Sequence, residues 1–187
     1  MRLVRNVMFL MVLALVVSAR PALAGGPITS GSTVAGSLAG PSFLESWTFS
    51  GTSGQRVLIS AVTTSGAVNT NINLKAPGGA SVASTSADRL EWQMLSTGTY
   101  TIEITDVGVN DPGAYNLTFV NLTVGPYTSG GDPDGGAIVS SDVKTGTMSG
   151  ASDIDAFTFT GTINDRVLID AVTTSGSMDT WIYLYPP

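Results

Sequence analysis

From Val34 to Leu122 short apolar or alternating runs of four to eight residues are broken by Gly, Pro, Ser, Thr and Asn, and no helical periodicity of useful length appears. The pattern predicts strands over Ser46 to Ser50, Arg56 to Thr63, Thr70 to Ala76, Ala80 to Ala83, Leu90 to Leu95, Thr99 to Thr105 and Tyr115 to Val120. Gly51-Thr52-Ser53-Gly54, Pro77-Gly78-Gly79, Thr97-Gly98 and Asp111-Pro112-Gly113 supply reversals between them. Seven strands in about ninety residues imply an all-β, antiparallel β-sandwich. Because side chains alternate across a strand, Trp47 and Phe49, Val57, Ile59 and Ala61, Thr70, Ile72 and Leu74, and Tyr100, Ile102 and Ile104 form the candidate core.

The organising stretch is Arg56 to Gly66, RVLISAVTTSG, which returns at Arg166 to Gly176 as RVLIDAVTTSG, 110 residues later. From Gly36 against Gly146 to Pro77 against Pro187 the two copies align without a gap, and 21 of those 42 pairs are identical. The chain is therefore read as domain-sized copies of one unit, with matched folds expected. The first occupies residues 25–124, Gly125 to Gly136 (GPYTSGGDPDGG) is a linker, and residues 137–187 are a second copy. Nothing after Pro187 matches the strands of residues 78–124, so the second copy is an incomplete sandwich. Half a sandwich without disulfide or metal stabilises itself poorly. The expectation is the front part of a longer repeat protein, the alternative being completion by docking or strand exchange.

Residues 1–24 carry Arg2 and Arg5, an apolar run of eleven from Val7 to Val17, and Pro21-Ala22-Leu23-Ala24. They are read as a secretory signal peptide cleaved after Ala24, the run falling short of the roughly twenty residues of a spanning helix. Localisation is expected to be secreted, extracellular or at the cell surface, with no membrane insertion after cleavage. Cleavage removes three of eight basic residues and none of fourteen acidic ones, leaving five against fourteen, or −9. That charge excludes nucleic acid and anionic membrane as partners.

His and Cys are both absent. His-activated serine, thiol catalysis and zinc or copper sites on imidazole or thiolate fall away, as do disulfide braces. No catalytic constellation is visible and no cofactor is implied beyond calcium, which oxygen ligands on loops suit. Its candidate ligands are Asp132 and Asp134 in the linker and Asp153, Asp155 and Asp179 in the second copy. The bland reading is a tight Asp-Pro-Asp-Gly turn and a strand cap. Trp181, Tyr183 and Tyr185 should share the outward face of one strand, as a stacking platform for sugar or protein or as packing against a neighbouring unit.

Phe43 to Gly54, RVLISAVTTSG, NINLKAPGG at Asn71 to Gly79, GTYTIEITD at Gly98 to Asp106 and GAYNLTF at Gly113 to Phe119 together resemble the bacterial pre-peptidase C-terminal domain. The resemblance covers one unit and the first half of another. It implies a secreted, jelly-roll-like sandwich, commonly appended to exported peptidases and related to collagen-binding modules. The family's acidic pair before the aromatic strand stands here as Asp153 and Asp155, where the first copy has Phe43 and Glu45; Asp179 matches Asn69. The resulting expectation is a non-catalytic exported repeat protein acting as an adhesive, scaffold or accessory module on an extracellular protein or polysaccharide. The alternatives are an N-terminal piece of a secreted hydrolase and a carbohydrate-binding module.

Overall fold

The computed structural model describes residues 25–40 and 43–186; the signal-peptide reading of residues 1–24 lies outside them, as does Pro187. Eleven strands follow in chain order: β1 Gly25–Pro27, β2 Ser32–Leu38, β3 Leu44–Gly51, β4 Arg56–Gly66, β5 Thr70–Lys75, β6 Ser81–Thr85, β7 Arg89–Gln93, β8 Gly98–Asp106, β9 Gly113–Asn121, β10 Gly136–Ala137 and β11 Phe157–Thr158. The first nine build two sheets, in the orders β1-β3-β8-β5-β6 and β2-β9-β4-β7. These face each other as a β-sandwich, and all pairings are antiparallel except the short β1–β3 contact. Each of the seven expected strands is present within a few residues, and all eleven residues of the candidate core are buried. Phe49 stacks on Tyr100 and packs at 4.4 Å against Phe119 of the opposite sheet.

β1 and β2 were not expected. Their sequences, GGP and STVAGSL, hold too few apolar residues to signal a strand, and they form because the edges of β3 and β9 offer hydrogen bonds.

One polar network ties the sheets together inside the core. Tyr115 Oη on β9 donates to Glu45 Oε2 on β3 at 2.5 Å, Trp47 Nε1 donates to Tyr115 Oη at 3.0 Å, and Ser37 N donates to Glu45 Oε1 at 3.1 Å. Burial, then the Glu45 carboxylate, push the Tyr115 hydroxyl far above its ordinary pKa, so it stays a donor. A Cβ at Gly36 would stand 2.4 Å from both Glu45 Oε2 and the Tyr115 ring, which explains a glycine in mid-strand.

Asp106, at the end of β8, clasps the loop that follows. Its Oδ1 accepts from Asn69 N at 2.9 Å and its Oδ2 from Gly108, Asn110 and Asp111 N at 3.0, 3.1 and 3.3 Å. These amides, Asn69 first, lower its pKa below the usual 3.8. Folding therefore gains stability from this group above pH 3.8 and loses it as acid protonates the native carboxylate. Asp106→Ala is expected to lower the thermal midpoint at pH 7 and to remove part of the acid sensitivity below pH 3.8, read by unfolding at a series of pH values.

The second copy corrects the expectation of a matched fold. Residues 166–176 and 180–185 form no strand, and β10 with β11 is the only sheet pairing among described residues beyond 136. Val57 is fully buried while Val167 is 52% exposed, and Leu74 is fully buried while Leu184 is 62% exposed. The reason lies in the pairing. β3 bonds to β1 and β8, β4 to β7 and β9, and β5 to β6 and β8; all of these except β1 fall in residues 78–124, which pair with the first copy.

What survives is what needs no distant partner. Gly26–Trp47 and Pro27–Thr48 recur as Gly136–Phe157 and Ala137–Thr158, in the same parallel register. Thr70 Oγ1 to Ala61 O at 3.0 Å recurs as Thr180 Oγ1 to Ala171 O at 3.1 Å, and Thr63 Oγ1 to Val68 O as Thr173 Oγ1 to Met178 O, both at 2.7 Å. Left-handed backbone recurs too, from Gly31, Gly54 and Gly66 (φ 77, 90 and 83°) to Ser141, Asn164 and Gly176 (φ 74, 72 and 79°).

Candidate acidic site at the linker junction

The linker and the opening of the second copy meet over the outer face of β9. Thr118 Oγ1 donates to the buried Ser152 Oγ at 3.2 Å, and Gly150 lies against Asn116. In the linker, Ser129 and Asp132 close a Ser-Gly-Gly-Asp turn by exchanging backbone bonds of 2.7 and 3.2 Å, and in the Asp-Pro-Asp-Gly stretch that follows Asp134 N donates to Asp132 Oδ1 at 3.4 Å.

This arrangement gathers Asp132, Asp153 and Asp155, with one carboxylate oxygen from each lying within 4.8 Å of the others. Asp132 and Asp153 are buried, at 7% and 5% exposure, and Asp155 is half-buried. Asp153 Oδ2 accepts from Ser149 N, but Asp153 Oδ1 and Asp155 Oδ1 are buried without a hydrogen-bond partner. Burial first, then the Asp132, Asp153 and Asp134 carboxylates, raise the Asp155 pKa to about 6; burial, then Asp153, raise that of Asp132.

An unpaired buried carboxylate oxygen costs several kcal/mol unless a cation or proton meets it. Oxygens on opposite sides of a calcium ion, at about 2.3–2.6 Å each, lie up to about 5 Å apart. The three aspartates therefore fit a hard divalent cation. The sign of the pH effect follows. With the native Asp155 pKa at about 6 and the unfolded value near 3.8, the native state holds more protons between those limits, so the junction loosens as pH rises from about 4 to 6. Protease cleavage between Gly135 and Gly161, in chelator, is expected to be faster at pH 7 than at pH 4.5, and millimolar calcium at pH 7 to slow it.

Asp134 stands beside this group, its Oδ2 accepting from Thr147 N at 2.7 Å, and its charge acts on both Asp132 and Asp155. Asp179 is exposed and apart from it. In the first copy β8 lies between β3 and β5, setting Leu44 opposite Thr105 and Thr70 opposite Asp106, which brings the counterpart positions 43, 45 and 69 to one end of a sheet. Among the described residues no strand does the same for Asp179.

The aromatic positions also differ from a common strand face. Trp181 is 80% exposed, its ring 6.5 Å from that of Tyr183, and Tyr183 lies under the Arg89 guanidinium at 3.4 Å. Tyr185 is half-buried with its Oη unpartnered. Arg56, bonded to Glu91 at 2.5 Å, completes the charged outer face of β4 and β7 against which this segment rests. Sequence reasoning missed Arg89 and the Glu45–Tyr115–Trp47 network, whose signal was a Glu at a core-facing position of an alternating strand.

No protein-family model matches this sequence, and no curated protein matches it. Among solved structures, PliG, a periplasmic lysozyme inhibitor of g-type lysozyme, matches from Aeromonas hydrophila (16% identity, TM-score 0.40) and from Salmonella Typhimurium (13%, 0.40); each match covers 51% of this chain, with 95% and 96% of those chains. The pre-peptidase C-terminal domain of collagenase from Bacillus anthracis is similar to this chain over 51% of its length and 93% of that domain, at 20% identity and a TM-score of 0.42.

Proposed function

We propose that the chain is a non-catalytic, exported β-sandwich protein that serves as an adhesive, scaffold or accessory binding module, braced at its linker by a calcium ion. The observation that carries the reading is the pair of buried, unpartnered oxygens, Asp153 Oδ1 and Asp155 Oδ1, facing Asp132. A hard cation there would fix the linker to the start of the second copy and, through Ser152, to the outer face of β9. The role is positional, as fits a module that holds surfaces at a set spacing. Export rests on the leader-like residues 1–24, and the acidic balance of the remainder turns the choice of partner away from nucleic acid and anionic membrane, toward an extracellular protein or polysaccharide.

Calorimetric titration of the chelator-treated protein at pH 7 is expected to show one calcium site. Asp153→Asn should weaken it by tenfold or more, on the order of 1.4 kcal/mol, while Asp179→Asn leaves it unchanged. Absence of heat, with no shift in unfolding at millimolar calcium, would remove the cation from the proposal.

A further inference from the structure

We propose that the chain binds a neutral polysaccharide in a cleft at the end of the sandwich where β3 turns into β4 and β8 begins. The inference rests on the module reading given above and narrows its partner to an uncharged chain of sugars. The cleft measures about 780 Å³ and runs between the stretch from Thr48 to Gln55, the start of β8 at Thr97 to Thr99, and the end of β9 with Val124 to Pro126. That volume falls among the roughly 300–1,000 Å³ of small-ligand sites.

The lining is neutral and polar. None of the 18 described residues that form it is charged, although residues 25–187 carry five basic and fourteen acidic side chains. An ionic ligand would meet no counter-charge there, whereas a sugar hydroxyl needs none. Thr48, Ser50, Thr52 and Thr99 bring hydroxyls that have no hydrogen-bond partner among the described residues, and each can donate and accept as a sugar hydroxyl does.

An amide is held ready among them. Gln55 Oε1 accepts from Thr52 N and Asn121 Nδ2, at 3.0 and 3.1 Å, and Asn121 Oδ1 accepts from Thr123 N and Val124 N, at 3.0 and 3.2 Å. Ser30 Oγ, which accepts from Asn121 N and donates to Pro126 O, ties the facing wall to the same frame. Gln55 Nε2 is thus presented in a fixed direction, with little freedom left to lose on binding.

Two features favour a sugar over a peptide. β1 ends at Pro27 opposite Thr48, and Ile28 N bonds to Thr48 O at 2.9 Å, so strand alternation turns the N–H and C=O of Ser50 to the same open edge. One open residue can meet a hydroxyl but cannot pair with an added strand. Ile28, Phe49 and Phe119 in the floor are already buried by the sandwich, which leaves no socket for an apolar side chain. Pro27, Val124 and Pro126 are exposed and form an apolar rim, against which the C–H face of a sugar ring can pack.

Cellohexaose, xylohexaose, mannohexaose and the hexamer of N-acetylglucosamine, each titrated into the isotope-labelled intact chain and followed by amide chemical shifts, test the site, with oligogalacturonate as the charged control. One or more of the neutral hexamers is expected to move the amides of Ser50 and Thr99 and the side-chain amide of Gln55, and oligogalacturonate none of them. Gln55→Glu, which keeps both accepted bonds but loses the donor, and Val124→Asp, which wets the rim, should each weaken binding about tenfold or more with cooperative unfolding intact. Equal binding of oligogalacturonate would overturn the neutral class. Binding that Trp181→Ala abolishes, and that both cleft variants leave unchanged, would place the sugar elsewhere and end the cleft assignment while the module reading stands. If no neutral hexamer moves these amides the cleft assignment also fails, and the calcium titration then judges the module reading on its own.

Discussion

Ile59→Ala is expected to destabilise the protein by about 2–5 kcal/mol, whereas Ile169→Ala, at the matching position of an identical VLI string, should cost less than about 0.5 kcal/mol. Ile59 is wholly enclosed between the sheets, and truncating it leaves a cavity that close-packed neighbours fill only in part. Ile169 is 43% exposed in a segment without sheet partners, so its methyl groups lose little on removal. Denaturant unfolding of the two variants reads the difference directly. Equal losses at the two positions would mean that the second copy carries a core of its own.

Tyr115→Phe carries the second large effect, about 3 kcal/mol, although it removes a single oxygen. Tyr115 Oη is both the donor to Glu45 Oε2 and the acceptor for Trp47 Nε1, and all three residues are buried. Without it a carboxylate oxygen and an indole N–H stand unpaired between the sheets, where each carries its full desolvation cost. Replacing Glu45 as well, by Gln in the Tyr115→Phe background, should recover part of the loss, since a neutral amide is less costly to leave unpaired than a carboxylate. A double-mutant cycle on thermal or denaturant unfolding measures the coupling; additive losses would show the two groups to be independent.

Much of the sandwich is legible in the sequence because its strands alternate cleanly: Trp47 and Phe49, or Ile102 and Ile104, each announce which face is inward. Ser32–Leu38 is not legible, since a strand of small and polar residues is made by the edge it pairs with, not by its own pattern. The second copy shows the same lesson at larger scale. Identity carries the local turns, so Thr180 finds Ala171 O as Thr70 finds Ala61 O, but sheet formation is non-local, and β7 and β9 pair with Val57 of β4, not with Val167. The candidate site divides along the same line. Asp132, Asp153 and Asp155 come together through short connections across the linker junction, while Asp179 is exposed and no strand among the described residues brings it to them. Arg89 over Tyr183 joins residues ninety-four positions apart, and no spacing rule could pair them.

Amide hydrogen exchange of the intact chain, followed residue by residue, tests most directly that one sandwich of residues 25–124 carries the structure. Amides of β3, β4, β8 and β9 should exchange only through global unfolding, with the slowest at Ile59, Ile102 and Leu117, while those of residues 166–176 exchange near the rate of an unstructured peptide. Protection of Val167, Leu168 and Ile169 equal to that of Val57, Leu58 and Ile59 would contradict it.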